Sequence, residues 1–252
     1  MSIPQDVTWK LEFLNVEIKL PIQQDRLSLD WQHALALLGH DAEVKWLYIR
    51  LLENKKVDWF LDIGANYGTH SLLFLTHGIK TISFEPNPIC SPVFGELCKQ
   101  NGVQGDWREV ALFEDVRDSE LQFTEHEPWL GRLRSSRVSD QEKTIEITTE
   151  TLDRVLLQET LIGNGLIKID VEGCELNVLK GGESTIRRLR PVVQFECLES
   201  STDCQLVFEF FNAIQYFVFP LTKVGLGEQI EKSVPGTSNY VALPELKPEW
   251  LA

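Results

Sequence analysis

Phe60-Leu61-Asp62-Ile63-Gly64-Ala65-Asn66-Tyr67-Gly68-Thr69-His70-Ser71 decides the fold: an apolar run stops at an acid, breaks into two glycines and gives way to a helical pattern. That order is a strand, a tight turn and a helix N-terminus. Glycines belong where backbone must turn sharply and lie close to a ligand, and a helix start points free N–H groups at whatever binds there. The segment therefore reads as a nucleotide-type cofactor loop. A second acid stands about one strand-helix-strand unit later, at Glu85 in Thr81-Ile82-Ser83-Phe84-Glu85-Pro86. A carboxylate at a strand end can accept hydrogen bonds from ribose hydroxyls.

Outward from this loop the chain alternates strand and helix: strand 57–63, helix 69–77 stopped by Gly78, strand 79–84, helix 88–101 stopped by Gly102, and a third strand at 107–112. Such alternation predicts an α/β fold, a mostly parallel sheet with right-handed crossovers and helices on both faces. Residues 113–149 interrupt the rhythm with short strands expected at 120–123 and 144–148, an inserted hairpin and loop over the site. The rhythm resumes with helix 151–158, strand 166–170, helix 175–189, strand 192–196, helix 203–213 and final strands at 216–221 and 240–243. The polar stretch 223–238 reads as a mobile connection. No internal repeat or low-complexity tract is present.

Residues 1–56 form a strand and helix cap on a main domain at 57–252. Residues 7–20 alternate but switch face between Phe13 and Leu14, which predicts a bulge or two short strands. Asp30 offers an N-cap to a helix ending at Gly39, and residues 41–53 repeat apolar side chains at helical spacing.

At 252 residues and 43% hydrophobic the chain can bury a sizeable core, as one α/β domain with additions. Its formal net charge of -14 argues against nonspecific attraction to nucleic acid or to anionic membrane surfaces. No apolar stretch is long enough to span a bilayer and no leader pattern opens the chain, so a soluble cytoplasmic protein is the expectation. Five scattered cysteines with no Cys-x-x-Cys pair suggest neither a disulfide framework nor a zinc site.

The loop fails the dinucleotide fingerprint, since Asn66 and Thr69 stand where its second and third glycines belong, and it satisfies Asp-x-Gly-x-x-x-Gly instead. With Glu85 closing the second strand, that form resembles class I S-adenosylmethionine-dependent methyltransferases. The sharper resemblance is to the FkbM family, carried by Gly64-Ala65-Asn66-Tyr67-Gly68, Phe84-Glu85-Pro86, Thr151-Leu152-Asp153 and Ile167-Lys168-Ile169-Asp170-Val171-Glu172-Gly173-Cys174-Glu175. It covers residues 57–200. The resemblance implies a Rossmann-like seven-stranded sheet with an antiparallel last strand, S-adenosyl-L-methionine as methyl donor, and transfer commonly to a hydroxyl oxygen. A nicotinamide-dependent oxidoreductase and a noncatalytic cofactor-binding module are the competing readings.

By the same resemblance Asp62 helps hold the cofactor's amino group through the turn, Gly64 lets backbone approach its methionine portion, and Glu85 grips the ribose diol. Ala65, Asn66 and Gly68 complete that loop. Asp170, at the carboxyl end of a central strand, and Glu172 in the loop after it stand where ligands of open parallel sheets bind, poised at cofactor and acceptor. Strand periodicity puts Lys168 on the face of Asp170, and a buried lysine needs a partner: Asp62, Asp170 and Glu196 are the candidates.

Asp170, Glu172 and Glu175 can in principle hold a hard divalent cation, which nothing in the sequence demands; Glu175 can equally serve the first turn of its helix. His126, in the inserted loop, is a candidate general base because imidazole titrates near neutral pH. His70 and His77 read as packing or surface residues. Arg132, Arg134, Arg137 and Lys143 form a basic run able to meet a phosphate or carboxylate, while Arg187, Arg188 and Arg190 follow helix-end preferences for cations. The acceptor expected is a small molecule, sugar or glycoconjugate.

Overall fold

The computed structural model describes residues 7–22, 34, 37, 39–124, 132–133, 142–197, 203–246 and 251. Strands β1 (Val7–Phe13) and β2 (Val16–Ile22) form an antiparallel hairpin. Its two turn residues, Leu14 and Asn15, both have positive φ, 47° and 63°. Such turns match the right-handed twist of the flanking strands, so the face switch in the sequence is a two-residue turn rather than a bulge. The hairpin is tied to a neighbouring helix through Asn101, which accepts from the Lys19 N–H at 2.7 Å and donates to the Lys19 carbonyl at 2.8 Å.

Helix α1 (Ala42–Glu53) follows, then β3 (Trp59–Ile63), α2 (Thr69–Leu75), β4 (Lys80–Phe84), α3 (Cys90–Asn101) and β5 (Asp106–Arg108). The expected third strand ends early. The Val110 N–H turns back to the Arg108 carbonyl at 2.9 Å, and β6 (Ala111–Leu112) leaves for a second sheet with β7 (Asp118–Thr124), β8 (Arg132–Leu133) and β9 (Glu142–Glu150). In that sheet β7 and β9 are antiparallel, the inserted hairpin of the sequence reading, extended at both ends.

Helix α4 (Leu152–Val155) is a single turn capped by the Thr151 hydroxyl. After β10 (Gly165–Ile169) the long helix expected over 175–189 is split at Gly181-Gly182 into α5 (Glu175–Gly181) and α6 (Glu183–Leu189). The break lets Asp153 accept from the first N–H groups of α6, at Ser184 and Thr185. The remaining elements are β11 (Val192–Glu196), α7 (Cys204–Ala213), β12 (Phe217–Thr222), β13 (Gly225–Leu226) and β14 (Asn239–Leu243).

The main sheet has the order β13-β12-β14-β11-β10-β3-β4-β5. Strands β11, β10, β3, β4 and β5 are mutually parallel, and β14 is antiparallel to both its neighbours. Seven strands with a reversed last one match the expected α/β architecture; β13 is a two-residue addition. The stretch 223–238 is fastened rather than mobile, since Tyr240 Oη donates to the Thr237 carbonyl at 2.8 Å and accepts from the Val234 N–H at 3.1 Å.

Side chains alternate across the sheet, giving two cores. Leu61, Ile63, Ile167, Ile169, Val193 and Phe195 face α5, α6 and α7, whereas Phe60, Leu166, Val192, Val241 and Leu243 face α1, α2 and α3. Strands β4 and β5 run to one side of β3, and β10 and β11 to the other. The crevice at the carboxyl ends of β3 and β10 is therefore the topological switch point where open α/β sheets bind ligands.

Candidate functional site

The turn after β3 is built for close approach. Gly64 and Ala65 both donate to the Phe84 carbonyl at 3.0 Å, which holds the turn against the end of β4. Gly64 has φ of 74°, and a Cβ there would stand 1.8 Å from the Asp170 carbonyl oxygen. Only glycine fits. Gly68, at φ 74°, starts α2 with its α-carbon against the Phe94 ring. Asn66 adopts the left-handed conformation at φ 52°, which asparagine tolerates better than most residues.

Glu85 follows β4 directly and is buried. Its Oε2 accepts from the Asn66 N–H at 3.0 Å and its Oε1 from the Asn87 N–H at 2.9 Å. Burial pushes the carboxyl up to about 7, although the two N–H groups hold it down.

A polar row crosses the α1/α2 face of the sheet one step below its edge. Ser83, Asp62, Lys168 and Gln194 are register partners on β4, β3, β10 and β11. Asp62 is 0% exposed and accepts from the Ser71 hydroxyl of α2 at 2.6 Å; Ser71 Oγ also lies 2.8 Å from Ser83 Oγ. Lys168 Nζ donates to the Gly64 carbonyl at 3.1 Å and stands 3.5 Å from Asp62 Oδ1 and 3.4 Å from Asp170 Oδ2. Burial alone would discharge this ammonium, but Asp170 and Asp62 outweigh it and its pKa lies above the ordinary lysine range. Burial raises the Asp62 carboxyl, with Lys168 and Ser71 opposing.

At the edge itself Asp170 and Glu196 end neighbouring strands, one position beyond the Ile169–Phe195 pair, and β14 places Asn239 opposite Glu196. Burial, followed by the fields of Asp170 and Glu172, raises the Glu196 carboxyl to about 8. The N-terminal cap closes this side. Asn239 donates to Glu43 Oε1 at 3.1 Å and accepts from Gln194 Nε2 at 3.1 Å, while the field of Asp41 reaches both Glu196 and Lys168.

The residues expected at a cofactor, namely Asp62, Gly64, Ala65, Asn66, Gly68, Glu85 and Asp170, gather at the carboxyl ends of β3, β4 and β10, with Asp62 wholly buried beneath the turn. Glu172 lies exposed in the loop after Asp170 at φ 53°. Glu175 serves its own loop, accepting from Val171 and Gly173 N–H at 3.2 and 3.1 Å. Among the described residues no group of three or more His, Cys, Asp or Glu side chains is arranged to hold a metal ion. Of the three acids expected as partners of Lys168, Asp62 and Asp170 lie within 4 Å of its Nζ and Glu196 does not. His126, Arg134 and Arg137 lie outside the described residues.

His70 is a partly buried packing residue, its Nδ1 2.9 Å from Tyr48 Oη and its pKa well below the usual value because of burial, Lys168 and Lys45. Arg190 donates to the Ile214 and Gln215 carbonyls at the end of α7, a cation at a helix C-terminus, though not its own helix. Sequence reading missed Asp41, Glu43, Gln194 and Asn239. Only Asp41 carried a signal, as an acid at a helix start.

Among the described residues no helix is long and apolar enough to cross a membrane. The chain is 28% identical over 147 residues to the hexuronic acid methyltransferase AglP of Haloferax volcanii, covering 58% of this chain and 59% of that protein. The chain thus spans about three fifths of that relative's length. The crystal structure of methyltransferase FkbM from Methylobacillus flagellatus KT superposes with a TM-score of 0.48 at 15% identity, over 86% of this chain and 60% of that one. A SAM-dependent methyltransferase from Agrobacterium tumefaciens gives 0.43 at 10% identity, over 97% and 72%. Residues 62–223 match the family model of the methyltransferase FkbM domain, and this chain belongs to that family of methyltransferases.

Proposed function

We propose that this methyltransferase moves a methyl group from S-adenosylmethionine to a hydroxyl oxygen of a small molecule, sugar or glycoconjugate. The observation that carries the reading is the cradle at Gly64: a backbone turned to φ 74° against the Asp170 carbonyl, with the carboxylate of Glu85 fixed at the next strand end. Such a pairing of bare backbone with a strand-end acid suits a nucleoside carrying a ribose diol. Gly64, Ala65, Asn66 and Gly68 would hold the amino-acid portion, Glu85 the ribose, and Asp62 would act through the turn.

The sulfonium supplies an already activated methyl group. The chain's own task is to align the acceptor, exclude water and take up a proton. Asp170 and Glu172 stand at the edge where an acceptor would meet the donor. Similarity to a hexuronic acid methyltransferase supports a sugar acceptor. The acids Asp41, Asp170 and Glu172 on this side favour an uncharged hydroxyl, because an acceptor carboxylate placed here would meet like charge.

Isothermal titration calorimetry with S-adenosylmethionine and S-adenosylhomocysteine is the direct test, paired with tritiated methyl transfer to a panel of neutral sugars, uronic acids and nucleotide sugars. Binding of neither ligand, with Glu85→Ala indistinguishable from wild type, would overturn the cofactor assignment. Label appearing only on nitrogen or carbon acceptors would overturn the hydroxyl.

A further inference from the structure

Asp170 and Glu196 are two acids on adjacent parallel strands, one residue beyond a register pair, with side chains on the same face of the sheet. Neighbouring strands lie about 4.8 Å apart, so carboxyl groups so placed meet directly. Placed side by side, two carboxyls repel when both are ionised, so one of them is pushed to keep its proton. Lys168 neutralises Asp170 from the row beneath, 3.4 Å away, and leaves Glu196 as the member that keeps the proton. Glu172 from the loop after β10 and Asp41 from the start of α1 favour the same state, and the Cys197 thiol stands next along the chain. The Glu196 carboxyl is accordingly raised to about 8 and is protonated at neutral pH.

We propose that the Glu196–Asp170 pair is a charge-sensing proton store: binding of a cationic methyl donor beside it expels the shared proton, and the freed Glu196 carboxylate then takes the proton of the acceptor hydroxyl. This rests on the cofactor assignment above. The steps balance. The donor carries one positive charge, which a proton leaving the pair offsets. In the transfer the acceptor O–H bond breaks with its proton going to Glu196, the new C–O bond forms, and the S–C bond breaks with its electron pair remaining on a neutral sulfide. The pair is again protonated when the product donor is uncharged, so each turnover resets the store.

S-adenosylmethionine and S-adenosylhomocysteine carry the same amino, carboxyl and ribose groups and differ by the sulfonium methyl, so their comparison isolates the charge. Calorimetry of the full chain at pH 7 in buffers of different ionisation enthalpy counts protons released on binding. We expect roughly one-half to one proton more for S-adenosylmethionine, and an affinity that rises about tenfold more between pH 6 and pH 8 than that of S-adenosylhomocysteine. Glu196→Gln should abolish the difference and Glu196→Asp should restore part of it, with thermal melts confirming that both fold.

Equal proton release for the two ligands in wild type overturns the proposal and leaves the cofactor assignment standing. A difference that survives in a folded Glu196→Gln variant places the store elsewhere and also overturns it. Binding of neither ligand rejects the cofactor assignment and the proposal with it. The wild-type comparison decides the first of these even if no variant folds.

Discussion

The backbone N–H of Asn66 donates to Glu85 Oε2 at 3.0 Å, so the turn after β3 and the residue after β4 are fastened to each other by the chain itself. A site that needs both elements at a fixed separation gains that separation without help from a ligand. Glu85→Ala removes the acceptor of two N–H groups, those of Asn66 and Asn87. Leaving buried donors unsatisfied costs about 1–3 kcal/mol each. We expect urea unfolding to show a loss of about 2 kcal/mol and calorimetry to show loss of nucleoside binding, whereas Glu85→Gln, which keeps one acceptor oxygen in place, should lose less stability.

Gly64→Ala tests the cradle. Left-handed backbone costs an L-residue about 1–2 kcal/mol, and a Cβ 1.8 Å from the Asp170 carbonyl must push backbone rather than a flexible side chain. The loop and the Asp170 strand end should separate. Expected outcomes are a fall in stability of more than 2 kcal/mol in urea titration, on the scale of an overpacked core site, and loss of S-adenosylhomocysteine binding.

The parallel core and the cofactor turn were legible because local chemistry dictates them: alternating periodicities for β3 to β5 and β10 to β11, and glycines at positions 64 and 68 that no other residue fills. The acceptor side was not. Asn239 and Glu43 are far apart in the chain and meet only because β14 inserts antiparallel between β11 and β12, beneath the start of α1. No local pattern announces such a contact. The helix expected over 175–189 failed for a similar reason: apolar periodicity runs through Gly181-Gly182, but Gly181 lies against the Phe113 carbonyl, and this tertiary contact coincides with the break. Lys168 was flagged by periodicity, and its burial against two acids followed from cost; which acids it chose depended on sheet order.

Lys168→Met should be among the most damaging single substitutions. It leaves Asp62, 0% exposed, as a buried carboxylate without its cation. Breaking a buried pair by removing one partner costs about 3–5 kcal/mol, while replacing both partners costs far less. The double variant Lys168→Met with Asp62→Asn should therefore recover much of the stability lost by Lys168→Met alone. A double-mutant cycle in urea measures this; additive losses would show that the two side chains are not energetically coupled.

Glu43 and Asn239 connect the cap to the sheet, and Gln194 extends the link to β11. Single alanine substitutions at Glu43 and Asn239 should each cost about 1 kcal/mol, and the pair should show a coupling energy of about 0.5 kcal/mol or more, as expected for residues sharing one hydrogen bond. If the cap shapes the acceptor side, both variants should alter acceptor KM more than donor affinity.

Stability should fall as pH rises through neutrality, because Glu85 and Glu196 hold their protons more tightly in the folded chain than in the unfolded one. The sign follows from linkage: between the ordinary glutamate value of 4.5 and the folded values of about 7 and about 8, the native state binds more protons than the unfolded state. Raising pH across that window therefore favours unfolding. Glu196 is partly open to solvent, which screens its share, so Glu196→Gln is expected to gain about 1–2 kcal/mol over wild type at pH 8 and little at pH 5. Urea titrations of both proteins at pH 5, 6, 7 and 8 measure the gap. A gap that does not widen with pH would mean that the Glu196 carboxyl titrates as an ordinary surface acid.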